Sequence, residues 1–94
     1  MRREIVEHVK QRANDACEVC GGSLDHLHHI INGSGKRKQC ETKDSVMGVC
    51  VRCHEMVHRR RELDLYYKQK LQAVYAKQGK NEDEIRRLMG GKMY

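Results

Sequence analysis

A small α+β fold is what this sequence predicts, with a strand pair and a helix gathered around two Cys-x-x-Cys pairs and further helices at either end. Three observations lead there. Cys17/Cys20 and Cys50/Cys53 are four thiols in two close pairs, and each pair can supply two adjacent vertices of a tetrahedral zinc from one tight turn. The chain has 94 residues, 38% of them apolar, with no Trp, no Phe and four Tyr. Its hydrophobic core is therefore thin, and a structural zinc would supply much of the folding free energy, on the order of 10 kcal/mol. Between the pairs lies an apolar, histidine-bearing stretch fit for a strand, and outside them apolar residues recur at helical spacing. A single domain over 1–94 follows, with its core at 17–61 and a helical extension at 62–94.

Residues 2–13 read as a helix in which Ile5, Val6 and Val9 form an apolar stripe. It is expected to pack against the zinc core, with His8 on the surface. Cys17-Glu18-Val19-Cys20-Gly21-Gly22 reads as a zinc knuckle; its glycines allow positive φ and let backbone amides turn toward the sulfurs. Leu24 to Ile31 reads as a strand, apolar at Leu24, Leu27, Ile30 and Ile31. His28 and His29 then face opposite sides of it, and adjacent imidazoles can do different work, one on a metal and one on a water. His26 is read as a surface histidine. Asn32 to Thr42 is expected to be a loop, marked by Asn-Gly and Ser-Gly. It carries Lys36-Arg37-Lys38 and also Cys40, read as a free thiol without a special role. Ser45 to Val49 is the second strand, closing a hairpin that returns Cys50 and Cys53 to Cys17 and Cys20.

A helix opens at Cys53 and runs to Arg61 or beyond. His54 and His58 are four apart and project from one face of it. That spacing suits two ligands to one ion, or one ligand and one phosphate contact. Leu63 to Lys77 is a second helix with the stripe Leu63, Tyr67, Leu71 and Val74. Gly79 is a natural stop. Asn81 is then an N-cap with Glu84 three residues on, opening a last helix from Glu82 to Met89.

The formal charge is +6 and the pI about 9.2; a zinc held by four thiolates carries about −2, leaving the loaded protein near +4. The excess lies in Arg2-Arg3, Lys36-Arg37-Lys38 and Arg59-Arg60-Arg61. The last two runs flank the histidines, which points to nucleic-acid phosphate. No leader-like segment opens the chain, and no apolar run approaches membrane-spanning length. Paired cysteines at metal spacing without a leader point to a reducing compartment, so the cytoplasm is the expected location and no membrane partner is expected.

Several zinc chemistries fail on spacing. A two-Cys, two-His finger wants about a dozen residues between its pairs, and Cys20 to His28 is too short. A zinc deaminase wants His-x-Glu and then Pro-Cys-x-x-Cys, but the chain has no proline. His54-Glu55-Met56-Val57-His58 matches the metalloprotease pattern, with Glu55 as base. It begins directly after a Cys-x-x-Cys, however, in a chain with little room for a peptide cleft, and is set aside.

Cys17-x-x-Cys20, His28-His29-Ile30 and Cys50-x-x-Cys53-His54, in that order, resemble the HNH endonuclease family. These are the ββα-metal or His-Me finger nucleases, here of the phage or bacterial type with a four-cysteine zinc. The resemblance implies a ββα-metal core that hydrolyses phosphodiesters of double-stranded DNA, leaving 5′-phosphate and 3′-hydroxyl ends, with low sequence specificity. It implies a second ion besides zinc, Mg²⁺ or another divalent ion such as Mn²⁺, Ni²⁺ or Co²⁺. His28 matches its first metal ligand, His54 the helix histidine that completes metal binding, His58 a further ligand or phosphate contact found in some members, and His29 the general base. An all-imidazole set suits transition metals better than Mg²⁺. Where the family has a middle Asn that orients the base, this chain has Ser45, with Asp44 beside it as the other candidate.

Lys36, Arg37, Lys38, Arg59, Arg60 and Arg61 would contact the DNA backbone. The stripe from Leu63 to Val74 offers a surface for a homodimer or a protein partner. If phage-encoded, the protein would work in the host cytoplasm. The sequence also allows a different class of function, a non-catalytic zinc-stabilised nucleic-acid-binding or adaptor module using the same basic face.

Overall fold

Apolar residues at helical spacing and two short extended stretches give five helices and two strands among the described residues. The computed structural model describes residues 1–33 and 35–94. In order the elements are α1 (Arg3–Ala13), β1 (His26–His29), α2 (Lys36–Gln39), β2 (Val46–Val49), α3 (Val51–Arg59), α4 (Arg61–Lys77) and α5 (Glu82–Leu88). The expected loop at Asn32–Thr42 thus holds one helical turn, α2, entered through Gly35 at φ +76. Ser34 of the Ser-Gly signal lies outside the described residues.

β1 and β2 pair antiparallel, His26 opposite Val49 and His29 opposite Val46. Side-chain alternation puts His26 and His28 on one face of this hairpin and Leu27 and His29 on the other. Both strands are shorter than their apolar patterns. Asp25 N–H and Ile30 N–H still reach Val49 and Ser45 carbonyls, but Ser45 belongs to a turn and Ile30 and Ile31 bend into the core.

On the Leu27 face, Ile5 and Val9 of α1 bury against Val46. This corrects the expected position of α1: it covers the hairpin's outer face rather than the zinc core. Gly48 permits the approach, because a Cβ there would lie 2.6 Å from Leu24 Cδ1 and 3.3 Å from Val9 Cγ1. Arg12 pins the end of α1. Its guanidinium donates to both carboxylate oxygens of Glu18 (2.8 and 3.1 Å) and to the Lys43 and Val46 carbonyls (2.7 Å each).

The larger core forms on the other face. Met47 and Val49 meet Cys17, Cys53 and Ile30, and α4 and α5 close over them with Leu71, Tyr75, Ile85 and Met89. Tyr75 is 1% exposed and its hydroxyl shares a 2.6 Å hydrogen bond with Thr42 Oγ1. Of the α4 stripe, Leu71 is buried and Tyr67 packs half-buried against this core, with Leu63 and Val74 also half-buried; on α4 the exposed large apolar residues are Leu65 and Tyr66. Arg60, extended at φ −100 and ψ 108, separates α3 from α4. α5 opens with the expected capping box between Asn81 and Glu84. Cys40 is buried as a core residue, its thiol 3.8 Å from the Arg87 carbonyl. Among the described residues no helix is long and apolar enough to cross a membrane.

Candidate metal centres

The knuckle closes through Gly21 N–H to Cys17 O and Cys17 N–H to Gly22 O, at 2.9 and 2.8 Å, with Gly21 at φ +82. This turn aims the amides of Val19 and Cys20 at Cys17 Sγ, at 3.4 and 3.5 Å. Cys50 is the N-cap of α3, and its sulfur accepts from Cys53 N–H at 3.4 Å. Amide donors and a helix N-terminus both favour thiolate. All four sulfurs lie within 4.8 Å of one another, and Cys20 and Cys50 are 3.7 Å apart. A tetrahedral zinc with bonds of about 2.3 Å requires sulfur–sulfur edges of about 3.8 Å. The cluster has the size and donor set to hold zinc.

The protonation of the thiols fits a cation between them. Burial pushes the Cys17 thiol up, but the backbone amides of Cys20, Cys50 and Val19 outweigh it and bring the pKa down to about 6. Cys53 is driven well above the usual thiol range by burial and by its three cysteine neighbours. Four thiols this close cannot all ionise by themselves; a divalent ion among them removes the conflict.

The second cluster sits across the hairpin and α3. His54 and His58 lie one turn apart on the helix, and β1 presents His28 toward them. Their ligand nitrogens all fall within 4.8 Å, with His54 Nε2 and His58 Nε2 3.1 Å apart. Nitrogens on a common ion at about 2.05 Å sit about 2.9 Å apart in octahedral and about 3.3 Å apart in tetrahedral geometry, which brackets that distance. His28 is 3% exposed, and its Nε2 has no hydrogen-bond partner among the described residues. An orphaned buried nitrogen costs about 1–3 kcal/mol, and an ion at the point of convergence would satisfy it. Burial, followed by the neighbouring His58 and His54, brings the His28 pKa down to about 4. Burial and His58 lower that of His54 as well. His28 is therefore neutral at pH 7, the form that binds metal. His26 is exposed, yet its ring centroid lies 5.1 Å from that of His54, so it borders the cluster.

His29 faces the other way. Its Nε2 is 2.8 Å from Glu41 Oε1, and the two side chains are only 13% and 10% exposed. Ser45 and Asp44, the residues expected to orient this imidazole, are engaged elsewhere. Ser45 is buried, its hydroxyl donating to the Cys40 carbonyl (2.9 Å) and accepting from Thr42 N–H (2.8 Å). Asp44 accepts from the Gln78 amide at 2.9 Å. Glu41 was not legible in the sequence, because one acid in a polar loop carries no spacing signal. Lys36 is half-buried, and its ammonium donates to Gly90 O at 2.8 Å, just past the end of α5. Arg37, Lys38, Arg59, Arg60 and Arg61 are exposed.

A cavity of about 480 Å³ lined by Arg12, Glu18, Met47, Tyr67 and Leu71 contains none of the cysteines or histidines. No family model matches the chain, and no solved structure matches it. The chain is similar to the mitochondrial DNA mismatch repair protein mutS homolog of Sarcophyton glaucum, 39% identical over 49 residues, which is 48% of this chain and 5% of that protein. The chain thus spans about 5% of that relative's length.

Proposed function

We propose that the chain is a metal-dependent endonuclease of the HNH type that hydrolyses phosphodiester bonds of double-stranded DNA. One observation carries the reading: the buried, unpartnered Nε2 of His28 converging with His54 and His58. His54 and His58 hydrogen-bond to each other and the rings pack edge to face, but none of these contacts satisfies His28 Nε2, and a shared cation would. The thiol cluster supports the reading by bracing the hairpin against α3. The exposed basic residues and the partial similarity to a protein named for DNA mismatch repair support DNA as the substrate.

His28, His54 and His58 would hold the catalytic ion, Mg²⁺ or a transition metal such as Mn²⁺. Bound there, it supplies Lewis-acid stabilisation of charge on the phosphate and the leaving oxygen. His29, next in sequence to His28 and facing the opposite side of the strand, would take a proton from the attacking water. Arg59, Arg60 and Arg61, with Arg37 and Lys38, hold backbone phosphates and set the position of the duplex. So small a surface leaves little area for reading base edges, so cleavage has low sequence specificity and leaves 5′-phosphate and 3′-hydroxyl ends.

The test is nicking of supercoiled plasmid by zinc-loaded protein with Mg²⁺, Mn²⁺, Ni²⁺ or Co²⁺ added in turn. His29→Ala is expected to abolish nicking while zinc content and DNA affinity stay near wild type. Wild-type protein that binds DNA and nicks with none of these ions is a non-catalytic zinc-stabilised module instead.

A further inference from the structure

The substitution of Ser45 for the expected orienting residue leaves a question that the hairpin's outer face answers. A general base works only if the correct nitrogen carries the lone pair. The His29 side chain is nearly enclosed, and one of its nitrogens is already committed, Nε2 lying 2.8 Å from Glu41 Oε1. The carboxyl of Glu41 is held below the usual range, chiefly by this hydrogen bond, with burial opposing it. An ionised carboxylate can only accept, so the hydrogen must reside on Nε2. Glu41 is itself fixed. Arg2 Nη2 donates to its backbone carbonyl at 3.3 Å, and Arg2 Nε lies 4.0 Å from Oε2. One of the three basic runs therefore braces this pair.

We infer that Glu41 is a positioning residue for His29, locking the tautomer in which Nε2 bears hydrogen and Nδ1 receives the proton of the attacking water. The inference rests on the nuclease reading for the proton transfer, and for the tautomer on the 2.8 Å contact of Nε2 with the Glu41 carboxylate. In the step, a water O–H bond breaks and its proton passes to Nδ1. The water oxygen bonds to phosphorus as the P–O3′ bond breaks, and the 3′ oxygen takes a proton from solvent. Glu41 accepts no proton; it orients the ring and stabilises the imidazolium, as a buried carboxylate does behind the histidine of a catalytic triad.

Two readouts test this on the zinc-loaded full chain. Long-range ¹⁵N–¹H NMR of the imidazoles reads the tautomer without any need for activity. Wild type should show His29 protonated at Nε2, Glu41→Ala a mixture of tautomers, and Glu41→Gln the wild-type form, since an amide oxygen can still accept. Plasmid nicking gives the second readout. Glu41→Ala should lower kcat by about 10²–10⁴-fold, the range a positioned base contributes, with KM unchanged. Glu41→Gln should recover at least about tenfold of that loss. A wild-type His29 carrying its hydrogen on Nδ1, or a Glu41→Ala kcat within about threefold of wild type, overturns the inference. Wild-type protein that nicks nothing overturns the nuclease reading and the positioning role with it, and the NMR result then stands as a structural finding about the pair.

Discussion

Replacing His28 by leucine should make the protein more stable and less able to bind a divalent ion. The stabilising half follows from the orphaned Nε2, whose burial costs about 1–3 kcal/mol, set against a similar-volume replacement that costs less than about 1.5 kcal/mol. The net gain at pH 7 is about 1 kcal/mol, or about 4–8 °C in Tm for a domain of this size. Acid should widen the gap. His28 falls from 6.5 to about 4 on folding, so below pH 6.5 the unfolded chain takes up a proton that the folded chain refuses. Stability from this residue is complete above pH 6.5 and drains away as pH falls toward 4. The loss is on the order of 1 kcal/mol by pH 5.5 and about 3 kcal/mol in full. Leucine has no such loss, so the variant's advantage roughly doubles by pH 5.5. The assay is thermal unfolding of zinc-loaded protein between pH 5.5 and 7.5, with and without Mn²⁺ or Ni²⁺. An ion at a hundred times its Kd should stabilise wild type by about 2.7 kcal/mol and the variant by far less. A leucine variant less stable than wild type at pH 7, or stabilised equally by the ion, would refute the reasoning.

Other perturbations separate the scaffold from the site. Gly48→Ala places a Cβ 2.6 Å from Leu24 Cδ1 and 2.9 Å from its Cγ, and should cost about 1–3 kcal/mol in chemical denaturation. Cys50→Ala removes one candidate zinc ligand and the side-chain cap of α3 together; zinc stoichiometry and far-UV helix signal should both collapse, since the metal contributes on the order of 10 kcal/mol. Changing Arg59, Arg60 and Arg61 together to Ala should leave Tm unchanged and weaken DNA binding. The slope of log affinity against log salt should fall by about 2–3, read by fluorescence anisotropy. Glu55→Gln should leave nicking largely intact; a peptidase activity that this variant loses would bring back the His-Glu-x-x-His reading.

What the sequence made legible was what local rules govern. The Cys-x-x-Cys turns, the four-residue spacing of His54 and His58, and the Asn81–Glu84 capping box each involve residues within one turn of each other. His28 joined the cluster by a longer inference, since a hairpin was needed to bring its strand to α3. What stayed hidden involves tertiary partners. The stripe on α4 is recognisable by its period, but period does not say how much of a stripe meets its own core, and here Leu71 turns inward while Leu63 and Val74 stay half-buried. The partner of α1 was misassigned for the same reason. Lys36 reads as one of three exposed cations until its ammonium is seen on Gly90, 54 residues away. Glu41 meets His29 because the turn built by Ser45 and Thr42 folds the loop back beside β1.

Cys50 caps α3, Cys53 lies in its first turn, and His54 and His58 follow on the same nine-residue helix. A segment that short does not hold its shape by itself in water, so, on the proposed nuclease reading, zinc would have to bind before the histidines could take an ion. A cell starved of zinc would make chains whose imidazoles never converge, however plentiful manganese or magnesium were. Scarcity of one nutrient would then silence an activity that formally depends on another.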